Sequence, residues 1–310
     1  MCLFLAQKLL KFTSHLYECI IAMFKSLIKG GYMGNITEIY DNGGSRVAIN
    51  FAKRIVVKVG TSSLTYENGK MNFGNIDKLC RAIADLWNSG KEVVLVTSGA
   101  IGVGIGCLKL AERPKETRDK QAVAAVGQCE LMNIYSRSFA EYQYNCGQIL
   151  LTRDDLTDRL TRSNIMNTME ALLERNIIPI INENDSVSTR EIIHNGTFGD
   201  NDTLSAHVAC LVNADLLIIL SDIDGLYDDN PRENPNAKRI SYVEDITDEM
   251  LGFSQGAGSK LGTGGMYTKV TAMQRVTSNG INGVIADSSE PQVLERILAK
   301  EDIGTFFAAK

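Results

Sequence analysis

The chain has 310 residues, 44% of them apolar, with a formal charge of −5 and an isoelectric point near 5.4. That is ample material for the core of one large α/β domain or two small ones. Acidic and basic residues are interspersed, which argues against nucleic acid or an anionic membrane surface as the main partner and favours a small soluble substrate. Cysteines at 2, 19, 80, 107, 129, 146 and 210 form no Cys-x-x-Cys pair and no spacing that suits zinc or a disulfide ladder. The expectation is reduced thiols in a cytoplasmic protein. His15, His194 and His207 stand apart from one another and from cysteine, so each is assigned a structural or solvated role and no metal site is expected.

Taken in chain order, residues 1–30 are apolar with interspersed lysines, and Leu5, Leu9, Leu10, Ile20, Ile21 and Phe24 recur loosely at helical spacing. No uninterrupted apolar run approaches the ~20 residues of a membrane span, and no clear secretory signal stands out. From residue 54 onward, short β-branched runs alternate with helical patterns, which is the signature of βαβ units. Strands are predicted at 55–59, 92–97, 147–151, 177–181, 216–220 and 283–286. As unbroken apolar runs they are expected to be covered on both faces. Ile76, Leu79, Ile83 and Leu86 mark one helical face, stopped by Gly90. Further helices are predicted near 121–141, 162–175, 203–212 and 266–278. The fold class that follows is a three-layer α/β/α sandwich with a mostly parallel central sheet. Residues 1–50 are expected to be an N-terminal extension, and 51–310 one catalytic domain.

Ligands of open α/β sheets bind beyond the carboxyl ends of the strands, so polar segments that follow strands share one rim. The first such segment is Lys58-Val59-Gly60-Thr61-Ser62, where glycine admits backbone N–H groups to an oxyanion and lysine supplies charge. A lysine near a strand end is by itself more often a solvated surface group. The second, Thr97-Ser98-Gly99-Ala100, opens a helix and is an anion site by geometry, unless its glycines serve close helix packing. The third combines Asn182-Glu183-Asn184-Asp185-Ser186 with Gly199-Asp200-Asn201-Asp202. This concentration of carboxylates and carboxamides exceeds what turns and helix caps need. The fourth is Ser221-Asp222, followed much later by Gly262-Thr263-Gly264-Gly265-Met266-Tyr267-Thr268-Lys269. No Gly-x-x-x-x-Gly-Lys-[Ser/Thr] motif occurs, so any nucleotide cradle is of a different kind. Lys58 and Lys269, both beside glycines at this rim, suggest a polyanion such as a nucleoside triphosphate, because buried cations are costly unless an anion meets them.

In this order the blocks resemble the amino acid kinase family, and within it the members that phosphorylate free glutamate. The matching stretches are Val57-Lys58-Val59-Gly60-Thr61-Ser62, Val96-Thr97-Ser98-Gly99-Ala100-Ile101, Ala124-Ala125-Val126-Gly127-Gln128, Gln148-Ile149-Leu150-Leu151-Thr152, Ile181-Asn182-Glu183-Asn184-Asp185, Gly199-Asp200-Asn201-Asp202, Asp224-Gly225-Leu226-Tyr227 and Gly262-Thr263-Gly264-Gly265-Met266. The likeness runs over about residues 53 to 308.

The resemblance implies ATP-dependent phosphorylation of the side-chain carboxylate of L-glutamate, the opening step of proline synthesis, with Mg²⁺ carried by ATP. It implies that Lys58 contacts the transferring phosphoryl group, that Lys269 neutralises charge on the nucleotide side, and that Asp202 orients both lysines, with Asp200 close enough to be confused with it. Ser98, Asp185 and Asn201 are the implied glutamate residues. Ser221, Asp222 and the loop of Thr263, Gly264, Gly265, Met266, Tyr267, Thr268 and Lys269 form the implied ATP pocket. A homo-oligomer (dimer or tetramer), proline feedback and hand-off to a glutamyl phosphate reductase are further family expectations. Many members carry a C-terminal RNA-binding-type (PUA) domain, which is not expected here, and Ser221 stands where threonine is common. The alternatives are a family member acting on acetylglutamate, aspartate, carbamate or a nucleoside monophosphate, and a non-catalytic amino-acid sensor.

Overall fold

The computed structural model describes residues 46–66, 70–188, 201–254, 265–290 and 292–310. The stretch 1–30, with its loose helical spacing, lies outside them. A 3₁₀ turn at Arg46–Phe51 leads into β1 (Arg54–Val59), α1 (Thr61–Leu64), α2 (Phe73–Asn88), β2 (Glu92–Val96), α3 (Ala100–Leu108), α4 (Thr117–Ala140), β3 (Asn145–Leu151), α5 (Arg153–Thr157), α6 (Arg159–Leu173) and β4 (Ile177–Glu183). Then come α7 (Asn201–Leu211), β5 (Leu216–Ser221), β6 (Tyr242–Val243), α8 (Asp248–Ser254), α9 (Met266–Thr277), β7 (Asn282–Asp287), α10 (Val293–Leu298) and β8 (Thr305–Phe307).

The eight strands among the described residues form one sheet in the order β3-β4-β2-β1-β5-β7-β8-β6. Every pairing is parallel except β7 with β8. The six strands expected from the sequence are all present. β6 and β8 were not foreseen, because two- and three-residue strands are too short to show a period. Consecutive residues of β1 and β5 are buried, so both sheet faces are covered, and each such Val, Leu or Ile contributes about 1.5–3 kcal/mol relative to exposure. β3 departs from the expectation of two covered faces: it is an edge strand, and only its Leu151 is buried.

Local signals set the helices. Asn72 caps α2 by accepting from the Asn75 N–H, Ile76, Leu79, Ile83 and Leu86 fill its buried face, and Gly90, at φ 83°, turns the chain away. α7 lies across β1, β2, β4 and β5, and α9 packs against α7 and β7. α3 and α4 cross closely because both contribute glycine at the contact. A Cβ on Gly127 would collide with the Ala100 carbonyl oxygen, and one on Gly104 with that of Val123. The compact unit begins at Arg46, whose buried guanidinium donates to the carbonyls of Glu301 and Ile303 at 3.0 and 2.9 Å and so ties its first residue to its last turn.

The strand order reverses at β1, with β2, β4 and β3 on one side and β5 and β7 on the other. A crevice at the carboxyl ends of the strands beside such a switch point is where open α/β sheets bind ligands.

Candidate active site

Lys58 is the penultimate residue of β1 and pairs in register with Val96 of β2 and Ile219 of β5, so it sits at that switch point. Gly60 follows, and a Cβ there would lie 3.7 Å from the Lys58 ammonium, which places the charge in the turn leaving β1. The side chain is only 5% exposed. Its partner is Asp202, on the first turn of α7, with Nζ 2.5 Å from Oδ1. Lys269, on the first turn of α9 and 6% exposed, reaches the other oxygen of the same carboxylate at 3.2 Å. The Thr268 hydroxyl lies 3.0 Å from that oxygen. Asp202 is fully buried, and its own carbonyl accepts from the Ser205 hydroxyl at 2.6 Å.

The assembly is a buried carboxylate clamped between two ammonium groups that the chain brings from positions 211 residues apart. A lone buried ion pair sets one charge against one; here two buried ammonium groups meet at one carboxylate, which concentrates positive charge in a desolvated place. Such a concentration of cations suits an anionic ligand. The dipoles of α7 and α9, whose first residues lie beside the same groups, add partial positive charge.

The remaining candidates are arranged around this clamp. Ser98 is buried at the end of β2, where the Thr97 N–H donates to the Ile181 carbonyl and fixes the turn beside β4. Gly99, at φ 98°, makes the left-handed step that starts α3, a conformation side chains other than glycine resist. Asn201 opens α7, and its Oδ1 is buried without a hydrogen-bond partner. Asp185 lies in the turn after β4, half-buried; burial pushes its carboxyl up to about 6, and Arg113 offsets part of that rise. Ser221 ends β5 and donates to Asp222 at 3.1 Å, and Asp222 lies 3.9 Å from Arg232. Gly265 caps α9 with extended backbone and no side-chain cap; Met266 is buried behind it and Tyr267 is exposed at the surface. Thr263, Gly264 and Asp200 lie outside the described residues.

Direct contact therefore joins Lys58, Asp202, Thr268 and Lys269, whereas Ser98, Asp185, Asn201, Ser221 and Asp222 share the rim by their positions at strand and helix ends. Two neighbours were marked in the sequence only as members of longer segments. Asn182, the sixth residue of β4, is 1% exposed and donates to Gln128 of α4 at 2.8 Å. Only the block Gly127-Gln128 hinted at the latter. His207 lies on α7, half-buried, its pKa lowered to about 4 by burial and then by Arg275, Arg162 and Arg153, so it is neutral at physiological pH. Among the described residues no three His, Cys, Asp or Glu side chains stand together as a metal site, and no helix is long and apolar enough to cross a membrane.

The amino acid kinase family description matches residues 53–287. A glutamate 5-kinase of Clostridium perfringens is 56% identical over 265 residues, covering 86% of this chain and 98% of that protein. Glutamate 5-kinases of Clostridium acetobutylicum and Listeria monocytogenes are 53% and 50% identical, covering 83% and 86% of this chain and 95% and 96% of those proteins. Among solved structures, carbamate kinase from Giardia lamblia bound to AMP-PNP superposes with a TM-score of 0.57 at 14% identity, over 84% of this chain and 99% of that one. UMP kinase from Bacillus anthracis gives 0.54 at 14% identity, over 84% and 97%. The structural likeness carries the fold; the sequence likeness over nearly the whole described unit carries the lineage, and the chain belongs to the amino acid kinase family.

Proposed function

We propose that the chain transfers the γ-phosphoryl group of ATP to the side-chain carboxylate of L-glutamate, giving glutamyl 5-phosphate and ADP, the first step toward proline. The observation that supports the phosphoryl-transfer chemistry is the Asp202 clamp, which holds two buried ammonium groups on one carboxylate. The choice of glutamate rests on relatives of 50–56% identity that bear the name glutamate 5-kinase.

The carboxylate acceptor is ionised at neutral pH, since its ordinary pKa is about 4.3, so no general base is required. The barrier is the approach of one anion to another. A carboxylate oxygen forms its bond to phosphorus as the bond to the β-phosphate oxygen breaks, and negative charge spreads over the transferring oxygens. Lys58, at the sheet switch point, meets that charge from the β1 side, and Lys269 meets it from the α9 side. Asp202 fixes both ammonium groups before substrate arrives, so little reorganisation remains for the reaction itself. Ser98, Asn201 and Asp185 hold glutamate, the last pairing with its ammonium. Ser221, Asp222 and the segment from Thr263 to Lys269 hold ATP. Asp202 is engaged by both lysines and the described residues offer no metal cage, so Mg²⁺ would enter on the ATP phosphates and neutralise charge on their oxygens. On this reading the enzyme is cytoplasmic and homo-oligomeric, is open to proline feedback, and hands its labile acyl phosphate to a reductase.

The test is ADP release by the purified chain with MgATP and L-glutamate, run with and without hydroxylamine to trap the acyl phosphate as a hydroxamate. Glutamate-dependent ADP and hydroxamate are expected. A preference for aspartate, acetylglutamate, carbamate or UMP would overturn the acceptor, and glutamate binding without ADP would point to a sensor.

A further inference from the structure

Gln128 and Asn182 form a buried amide pair that the phosphoryl chemistry leaves unused. Both are more than nine-tenths buried, at 8% and 1% exposure, and one hydrogen bond joins them, Asn182 Nδ2 donating to Gln128 Oε1 at 2.8 Å. The other half of each amide, Gln128 Nε2 and Asn182 Oδ1, is buried with no hydrogen-bond partner. Two amides joined by a single bond always leave one NH₂ and one carbonyl over, whichever way each is turned. Burying such groups unmatched is unfavourable, and native proteins rarely tolerate it without a ligand or a bound molecule to complete the set.

Their placement says which ligand. Asn182 follows Ile181, whose carbonyl accepts from Thr97 N–H, so the pair stands beside the Ser98 turn. Gln128 follows Gly127, where the missing Cβ lets α4 lie against the Ala100 carbonyl at the start of α3. Gln121, seven positions and about two turns earlier on the same helical face, donates to the Ser188 carbonyl at 3.2 Å and holds the turn that carries Asp185. β4 is two strands from β1 in the sheet, roughly 10 Å from Lys58 at ordinary strand spacing. Glutamate carries its reacting carboxylate at one end and its α-carboxylate and ammonium at the other. With the reacting end at Lys58, the amino-acid head falls toward β4.

We propose that Gln128 is a specificity-determining residue: its Nε2 donates to the α-carboxylate of the acceptor while its Oε1 holds Asn182 with Oδ1 turned to the ammonium. This rests on the preceding reading of glutamate as acceptor.

Gln128→Glu is the informative variant, because a carboxylate oxygen still accepts from Asn182 while the donor becomes a negative charge facing the α-carboxylate. KM for glutamate is expected to rise at least about tenfold, the scale of a lost charge-assisted hydrogen bond, with KM for ATP within about twofold of wild type. Gln128→Met, which removes both bonds, is expected to raise KM for glutamate as well. An unchanged KM for glutamate in Gln128→Glu would overturn the proposal. So would a parallel rise in KM for both substrates with a lowered melting temperature, which is the mark of a packing role. If the wild type forms no glutamate-dependent ADP, it is the acceptor assignment that fails, a result read before any variant is made.

Discussion

Asp202→Asn removes the charge that joins the two lysines while keeping the shape of the side chain. At 2.5 and 3.2 Å, the gross attraction of each contact is about 5–7 kcal/mol with an effective dielectric near 20. Much of that is offset by the cost of desolvating three charges, so the gross figure is not the stability at stake. Removing one charged partner from a buried ionic set typically costs about 3–5 kcal/mol. For a folded unit of this size each kcal/mol moves the melting temperature by about 2–4 °C, so Asp202→Asn is expected to melt roughly 6–20 °C lower. Two consequences set this apart from a simple core defect. MgADP should raise the melting temperature more in the variant than in the wild type, because phosphate oxygens supply the missing negative charge. The double variant Asp202→Asn with Lys269→Met should be more stable than Asp202→Asn alone, since one of two like charges no longer bridged by the carboxylate is gone. Turnover should fall about 10²–10³-fold with the lysines no longer held in place. Differential scanning fluorimetry with a coupled ADP assay reads all of these. A melting temperature within about 2 °C of wild type, or a double variant less stable than the single, would refute the reasoning.

Lys58→Ala and Lys269→Ala are each expected to lower turnover by at least about 10²–10³-fold, and near-wild-type turnover in both would remove phosphoryl transfer from this rim. Gly127→Ala places a methyl group on the Ala100 carbonyl and should cost about 1–3 kcal/mol; Gly252→Ala in α8, where nothing lies within 4 Å of the new carbon, is the control and should melt no lower than wild type. Asp185 titrates near 6, and its neutral form cannot pair with an ammonium, so kcat/KM for glutamate should fall as pH drops through about 6, with that limb absent in Asp185→Asn. The same raised pKa works in the opposite sense on stability: proton uptake favours the folded form below about 4 and this contribution is lost as pH rises through about 6, so the two readouts separate binding from folding.

The local sequence determined the elements that carry their own signal. Runs such as Ile55-Val56-Val57 and Leu216-Leu217-Ile218-Ile219-Leu220 can be satisfied only inside a parallel sheet with both faces covered. The glycines and hydroxyls that follow the strands marked the rim, since βαβ connections place every carboxyl end on one side. β6 and β8 carried no such signal, because strands of two and three residues are held by their neighbours rather than by a pattern of their own.

What only the tertiary structure decided is which side chains meet. Gly199-Asp200-Asn201-Asp202 offers two carboxylates of equal chemistry, and nothing local favours either; burial on the first turn of α7 puts Asp202 between the ammonium groups of Lys58 and Lys269. Gln128 and Asn182 are 54 residues apart, and although Asn182 falls in a polar segment at the rim, nothing local pairs it with Gln128. Their unmatched atoms become visible only once the fold buries both side chains beside one another. Local periodicity is a property of neighbouring residues, whereas desolvation and charge balance belong to groups that the fold brings together from distant parts of the chain.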